Sequence, residues 1–283
     1  MEEKEKSKGH ILINVFIILV TLLIGIYLYA RYIEHNKLIM KEYKVSSNIL
    51  PENFSGIKII HISDLYFGNT TNIKNIDNLV EKVNVMKPDL IIFTGNLYGN
   101  NIKKEDELIK SLSKLESKLG KYAVKGKNDY FEKYHSFMES IGFVVLENNY
   151  ELIYKDTVTP IFLCGLASSL QEEVNLSTCI DYFKDKEDNL FQIYIVHESD
   201  NIKKIIDNTN ANLILAGNSL GGSIKVPLYG PLFKPLGSKK YMDEYYNYKE
   251  REAFISTGIG TDKYPYRFLN KPSFNLYRLK SLK

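Results

Sequence analysis

The sequence has no tryptophan, only two cysteines and five histidines, and little net charge. Most of these shortages remove a class of function. A net charge of +3 on 283 residues is too small to draw in a polyanion. The lysines are scattered among acidic residues and form no stripe with interleaved aromatics, so nucleic acid is excluded as a partner. Cys164 and Cys179 have no histidine near them in the chain, a pattern that builds no cysteine-based zinc site. Cys164 lies in the apolar run IFLCGL and reads as a small buried hydrophobe, with a disulfide as the other arrangement the sequence allows. There is no internal repeat and no low-complexity tract.

Charge is absent altogether from residues 11–30, ILINVFIILVTLLIGIYLYA. At 1.5 Å per residue, about 20 helical residues cover roughly 30 Å, the thickness of a bilayer's hydrocarbon layer. A secretory signal has a shorter apolar core and a small-residue exit. Here the exit carries Tyr27, Tyr29 and Tyr32, which suit a membrane interface. The expectation is a short tail (1–10), a transmembrane anchor (11–30), a polar juxtamembrane linker (31–55) and one domain (56–283). His10 and His35 flank the span and are expected at its interface. A short tail carrying three lysines before a single span stays in the cytoplasm, and long domains cross largely regardless of charge. The protein is therefore expected in the cell membrane, single-pass, with its domain extracytoplasmic.

After residue 55, apolar runs alternate with helical patterns. IKIIHIS (57–63), PDLIIFTG (88–95), KYAVKG (121–126), FQIYIVH (191–197) and NLILAG (212–217) read as strands, and 73–86, 103–119, 130–141, 177–186 and 200–209 as helices. FVVLEN, YELIYK and TPIFLCGL add strand-like runs, and the C-terminal stretch is strand and loop. This pattern predicts an α/β fold of two packed mixed sheets flanked by helices. The tyrosine-rich segment 241–251 reads as packing for a loop. His61, on a buried strand, reads as a satisfied core histidine, and His135 as solvated.

Four strands end in glycine-containing turns: ISDLYFG, FTGN, VKGKND and LAGNSLGG. Strand ends gathered at one edge are where α/β proteins place ligands. These turns carry Asp64, Tyr66, Asn96, Lys127, Asn128, Asp129, Asn218 and Leu220, and His197 closes another strand. In order and spacing they resemble the motif series of the calcineurin-like metallophosphoesterases, in particular their membrane-associated bacterial branch: D-x-H, G-D, G-N-H-D, a lone histidine, then G-H-T-H. The likeness extends to HISDL, KPDLIIFTG, YAVKG, NLILAG, VPLYG and YPYRF. It implies that family's two-sheet sandwich. For the family it also implies two divalent metals that polarise a phosphate and activate a bridging water.

By that resemblance Asp64 holds the place of the D-x-H aspartate, His197 that of the lone histidine, and Asp129 that of the supporting aspartate in G-N-H-D. The other positions are substituted. Tyr66 and Asn96 replace the D-x-H histidine and the bridging aspartate. Lys127 and Asn128 replace the asparagine and histidine of G-N-H-D. Asn218 and Leu220 replace both histidines of G-H-T-H. Each of these replacements is one base change away, and the glycines that shape the loops are largely spared. Asp64 and His197 would serve different metals, and neither metal keeps a second charged or imidazole ligand. An amide cannot act as a bridging carboxylate, and Tyr66 would bind metal only as a phenolate.

The implied function is a membrane-anchored pseudo-phosphoesterase with a binding or regulatory role, holding no metal cofactor. The alternative is an active phosphoesterase with a rebuilt single-metal or metal-free site. Lys127 has two possible roles: pairing with Asp64 or Asp129 in place of a cation, or turning outward into water.

Overall fold

The run Lys58–Ile62 (β2) shows how the layers arise. Successive side chains on a strand point to opposite faces. Ile60 and Ile62 enter one apolar cluster, and Ile59 enters a second. A strand apolar on both faces must be covered on both. The structure, a computed structural model, describes residues 2–99, 104–184 and 189–283. Within these residues two six-stranded sheets stack face to face, with helices on the outer face of each.

The strands in chain order are β1 (Ile39–Ser47), β2, β3 (Leu90–Phe93), β4 (Lys121–Ala123), β5 (Val144–Val145), β6 (Asn149–Ile153), β7 (Ile161–Gly165), β8 (Gln192–Glu198), β9 (Leu213–Gly217), β10 (Lys225–Val226), β11 (Gly230–Pro231), β12 (Tyr245–Tyr248), β13 (Arg251–Ile255) and β14 (Ser273–Ser281). The first sheet has the order β1-β14-β2-β3-β4-β5, and the second β12-β13-β9-β8-β7-β6. β2, β3, β4 and β5 run parallel, as do β7, β8, β9 and β13. β10 and β11 form a small separate hairpin.

Helices α2 (Ile73–Val85), α3 (Glu105–Leu112) and α4 (Tyr134–Ser140) cover the first sheet. α5 (Ser177–Asp181) and α6 (Ile202–Asn208) cover the second. Asn72 caps α2 by accepting from Lys74 and Asn75 N–H, while the Asn75 side chain accepts from the Asn72 N–H. The fold class expected from the sequence is present. The helix expected over 103–119 stops at Leu112, although Leu115 still packs on the same core. Residues 100–103 lie outside the described residues.

Among the described residues one helix, α1 (Glu2–Leu28), extended through a π-helical turn (Tyr29–Ile33) and a 3-10 turn (Glu34–Asn36), is long and apolar enough to cross a membrane. Its apolar window is uncovered by the rest of the protein, with a mean hydropathy of 2.8.

Three expectations need correction. The 31–55 segment is not a free linker. β1 lies within it and pairs with β14 over nine residues, because its alternating pattern matches an open sheet edge. His35 is not interfacial but buried, with Nε2 3.0 Å from the Thr70 carbonyl, because the end of the anchor docks on the domain. Cys164 and Cys179 are joined by a disulfide, since α5 lies over the sheet face that presents Cys164.

Candidate functional site

Strands β2 to β5 of the first sheet and β7, β8, β9 and β13 of the second send their C-terminal ends to one edge, whereas β1 and β14 run the other way. The turns there need unusual backbone. Asp64, Tyr66, Asn96, Asn218 and Leu220 all have positive φ, between 48° and 62°. For residues with bulky side chains such as Tyr66 and Leu220 this region costs about 1–2 kcal/mol each, and such strain collects at functional sites. Close approach keeps the turns in place. A Cβ at Gly95 would lie 2.3 Å from the Gly126 nitrogen, and one at Gly217 would lie 2.1 Å from Ser63 Oγ.

Asp64 is at the centre, with no exposure. One carboxylate oxygen accepts from Asn96 Nδ2 at 2.9 Å. The other accepts from the Asn218 N–H at 3.0 Å and from Ser63 Oγ at 2.6 Å. Asn96 Nδ2 also donates to the Tyr66 hydroxyl at 2.8 Å. The Asn128 N–H reaches Asn96 Oδ1 at 3.3 Å, which orients the amide with its nitrogen toward Asp64. Asn96 thus offers protons, not lone pairs, to the space between Asp64 and Tyr66. Burial, with Asp64 close by, pushes the Tyr66 phenol well above its ordinary range, so the hydroxyl stays protonated.

His197 sits at a β-bulge, where the pairing of β8 with β9 slips between Val196 and Glu198. A bulge re-aims one side chain. Here it turns the imidazole inward, so that Nδ1 donates to the Thr94 carbonyl. Nε2 lies 3.9 Å from an Asp64 oxygen, buried and without a hydrogen-bond partner. Asp129 forms a second centre. Its two oxygens accept the N–H groups of Asn96 (2.6 Å), Leu97 (2.8 Å) and Gly126 (2.8 Å). Burial still raises this carboxyl from 3.8 to about 6, since the three N–H bonds and His197 only partly offset desolvation.

Lys127 pairs with neither Asp64 nor Asp129. Its ammonium bonds Asp262 at 3.0 Å, at a partly exposed rim where a lysine keeps some water. Leu220 is buried and packs near Gly258, where a Cβ would meet Leu220 Cδ2 at 3.1 Å and Asp64 Cβ at 2.8 Å. Asn218 sends its side chain outward, to the Leu236 carbonyl at 2.8 Å and Ser238 Oγ at 2.9 Å. His61 is a core histidine between Thr94 (2.8 Å) and Tyr277 (3.3 Å), and burial lowers it to about 3. His135 is exposed and 3.0 Å from Glu147.

Sequence reasoning missed Arg267. It is fully buried, and one guanidinium nitrogen donates to the carbonyls of Thr257, Gly258 and Gly260. Burial lowers it to about 10, while Asp64 and Glu34 hold it charged. The chain has 37 basic residues, only four of them arginine. An arginine inside the aromatic run YPYRF was therefore a usable signal, because a guanidinium offers five N–H donors and is more weakly hydrated than an ammonium, which suits a buried cation.

Residues 57–220 match the family described as Calcineurin-like phosphoesterase. The chain is 30% identical over 263 residues to the metallophosphoesterase YkuE of Bacillus subtilis, covering 91% of each chain. It is 22% identical over 166 residues to a transmembrane protein with metallophosphoesterase domain from Danio rerio, covering 57% of this chain and 38% of the relative. The solved structure of TT1561 from Thermus thermophilus aligns with a TM-score of 0.49 at 12% identity, over 72% of this chain and 91% of that one.

Proposed function

The chain belongs to the calcineurin-like phosphoesterase family, and from that premise we propose that it is a membrane-anchored member without two-metal phosphoester hydrolysis, working instead by binding or regulation. The observation that carries this reading is the direction of the Asn96 amide. At the position of the family's bridging carboxylate, Nδ2 donates to Asp64 at 2.9 Å and to Tyr66 at 2.8 Å. A bridging ligand must present negative oxygen to two cations, and this group presents N–H. The residues at the other substituted positions point the same way. Tyr66 is a neutral phenol, Leu220 is apolar, Asn218 is engaged elsewhere and Lys127 is cationic. The described residues hold no cluster of three or more histidine, cysteine or acidic side chains able to bind a metal. The donor set does not fit the family's metal pair.

The alternative, a rebuilt active site, has one feature in its favour. His197 Nε2 has no hydrogen-bond partner and lies 3.9 Å from an Asp64 oxygen. Against it, both side chains are completely enclosed, and Asp64 already accepts three hydrogen bonds. Metal content of the purified full chain, measured beside mono- and diester hydrolysis, separates the two readings. The pseudoenzyme reading expects no stoichiometric Mn²⁺ or Zn²⁺ and no turnover above background. Metal-dependent turnover abolished by Asp64→Ala would overturn it. Tyr66→His, Asn96→Asp, Lys127→Asn, Asn128→His, Asn218→His and Leu220→His together should bring metal binding back, and single changes should not, because a metal needs several ligands at once.

The domain is proposed to lie outside the cytoplasmic membrane. The Cys164–Cys179 disulfide fits an oxidising exterior.

A further inference from the structure

Residues 221–240 contain four lysines and no acidic residue. They leave the site edge at Gly222 and carry the β10–β11 hairpin. Along this segment Leu228, Tyr229, Leu232, Phe233 and Leu236 are all exposed, and Leu228 stands fully free at the tip. Soluble surfaces scatter single apolar residues, but a contiguous group beside lysines marks a contact surface.

The position of the hairpin identifies the partner. Ile224 bridges to Phe268, and the Lys225 N–H bonds the Phe268 carbonyl. Phe268 in turn lies against the anchor: it shares a groove with Leu22, Gly25, Ile26 and Tyr29, and its ring packs on Tyr29 at 6.4 Å. The preceding N–H, that of Arg267, bonds the Ala30 carbonyl. The hairpin therefore starts where the apolar helix enters the domain, at the level of a bilayer surface.

We propose that segment 224–236 is a second membrane contact. Its apolar tip enters the interfacial layer of the bilayer that α1 crosses, and Lys234 within it, with Lys239 and Lys240 just beyond, meets anionic headgroups, while Lys225 is paired with Glu244. This is the arrangement of an interfacial amphipathic element, with apolar residues at the acyl boundary and lysines above them. It ties the site edge to the membrane. The Asn218 side chain donates to the Leu236 carbonyl, and a Cβ at Gly222 would meet Pro231 Cβ at 2.3 Å, so the hairpin is built directly on the site turn. The proposal rests on the membrane reading of α1.

The absence of tryptophan makes the test direct, since one introduced tryptophan is the only such reporter. Full-length Phe233→Trp, Leu19→Trp and Val158→Trp are placed in phosphatidylcholine nanodiscs, with or without phosphatidylglycerol. The lipids carry nitroxides near the headgroup or deep in the chain. Val158 is exposed in the turn before β7, at the opposite edge of the parallel strands. The expected result is deep quenching of Leu19→Trp, together with headgroup-level quenching of Phe233→Trp that exceeds Val158→Trp by about twofold or more. That quenching should grow with phosphatidylglycerol and fall when Lys234, Lys239 and Lys240 are changed to Glu. Leu228→Trp, at the free tip, gives the same readout if Phe233→Trp fails to fold. Quenching of Leu19→Trp alone, with Phe233→Trp no different from Val158→Trp, overturns the hairpin contact and leaves the anchor standing. An unquenched Leu19→Trp overturns the anchor and the contact with it. A blue-shifted but unquenched Phe233→Trp whose shift disappears on dilution assigns the surface to a second copy of the chain and also overturns the proposal.

Discussion

Asp129 and Asp64 are both fully buried carboxylates at the same sheet edge, but they are held differently. Asp129 accepts three hydrogen bonds, all from backbone N–H groups. Asp64 accepts one from backbone and two from side chains, those of Asn96 and Ser63. Backbone donors depend on loop shape, which glycines and left-handed turns preserve through many substitutions. Side-chain donors change with a single base. The difference teaches how such an edge can keep its architecture while its chemistry is rewritten: the part supported by main chain is insulated from point mutation, and the part supported by side chains is not.

The strongest way to break this comparison is to remove the insulated member. Asp129→Ala would orphan three buried N–H groups and should cost about 4 kcal/mol at neutral pH, read by denaturant unfolding in detergent. A loss below about 1 kcal/mol would mean that the loop does not depend on this carboxylate. Next in size is Asn96→Asp, which sets a second carboxylate about 3 Å from Asp64 with no cation between them. It should destabilise by about 3 kcal/mol at pH 7 and recover in acid, where one proton can be shared. Stability unchanged across pH would show that a cation neutralises the pair.

A third effect is the pH dependence of Asp129 itself. Its folded pKa is raised from 3.8 to about 6, so the folded chain binds this proton more tightly than the unfolded one. The resulting stability is fully present below about pH 4 and lost as pH rises through about 6, a change of about 2–3 kcal/mol. The difference between the native chain and Asp129→Asn should therefore slope downward across that window. A flat difference would place the carboxyl's ionisation near its ordinary value. The smallest effect sharpens the contrast. Lys127 pairs with Asp262 at a half-open rim, so Lys127→Ala should cost under about 1 kcal/mol. A double-mutant cycle with Asp64→Asn should return no coupling. Measurable coupling would give Asp64 a cationic side-chain partner and undo the distinction.

Much of this protein was determined by its sequence alone. A charge-free run of 20 residues can only be an apolar helix or a buried core, and its tyrosine-rich exit selects the former. Alternating β and α periods with strand-terminal glycines imply two sheets with their turns at one edge, because each residue's burial is set by its position in a short repeat. His61 could be assigned to the core on the same ground.

Tertiary structure decided the partnerships. Several carboxylates were open to Lys127 by sequence, and only the folding of the C-terminal loop beside it made that partner Asp262. Cys164 found Cys179 because α5 lies across β7, and β1 joined the first sheet because β14, from the far end of the chain, left its edge open. Arg267 became the buried cation near Asp64 because three carbonyls converge on it. The physical reason is common to all four. Periodicity records which face of an element is buried, but the choice among chemically equivalent partners depends on which distant loops the packed sheets bring within a few ångströms.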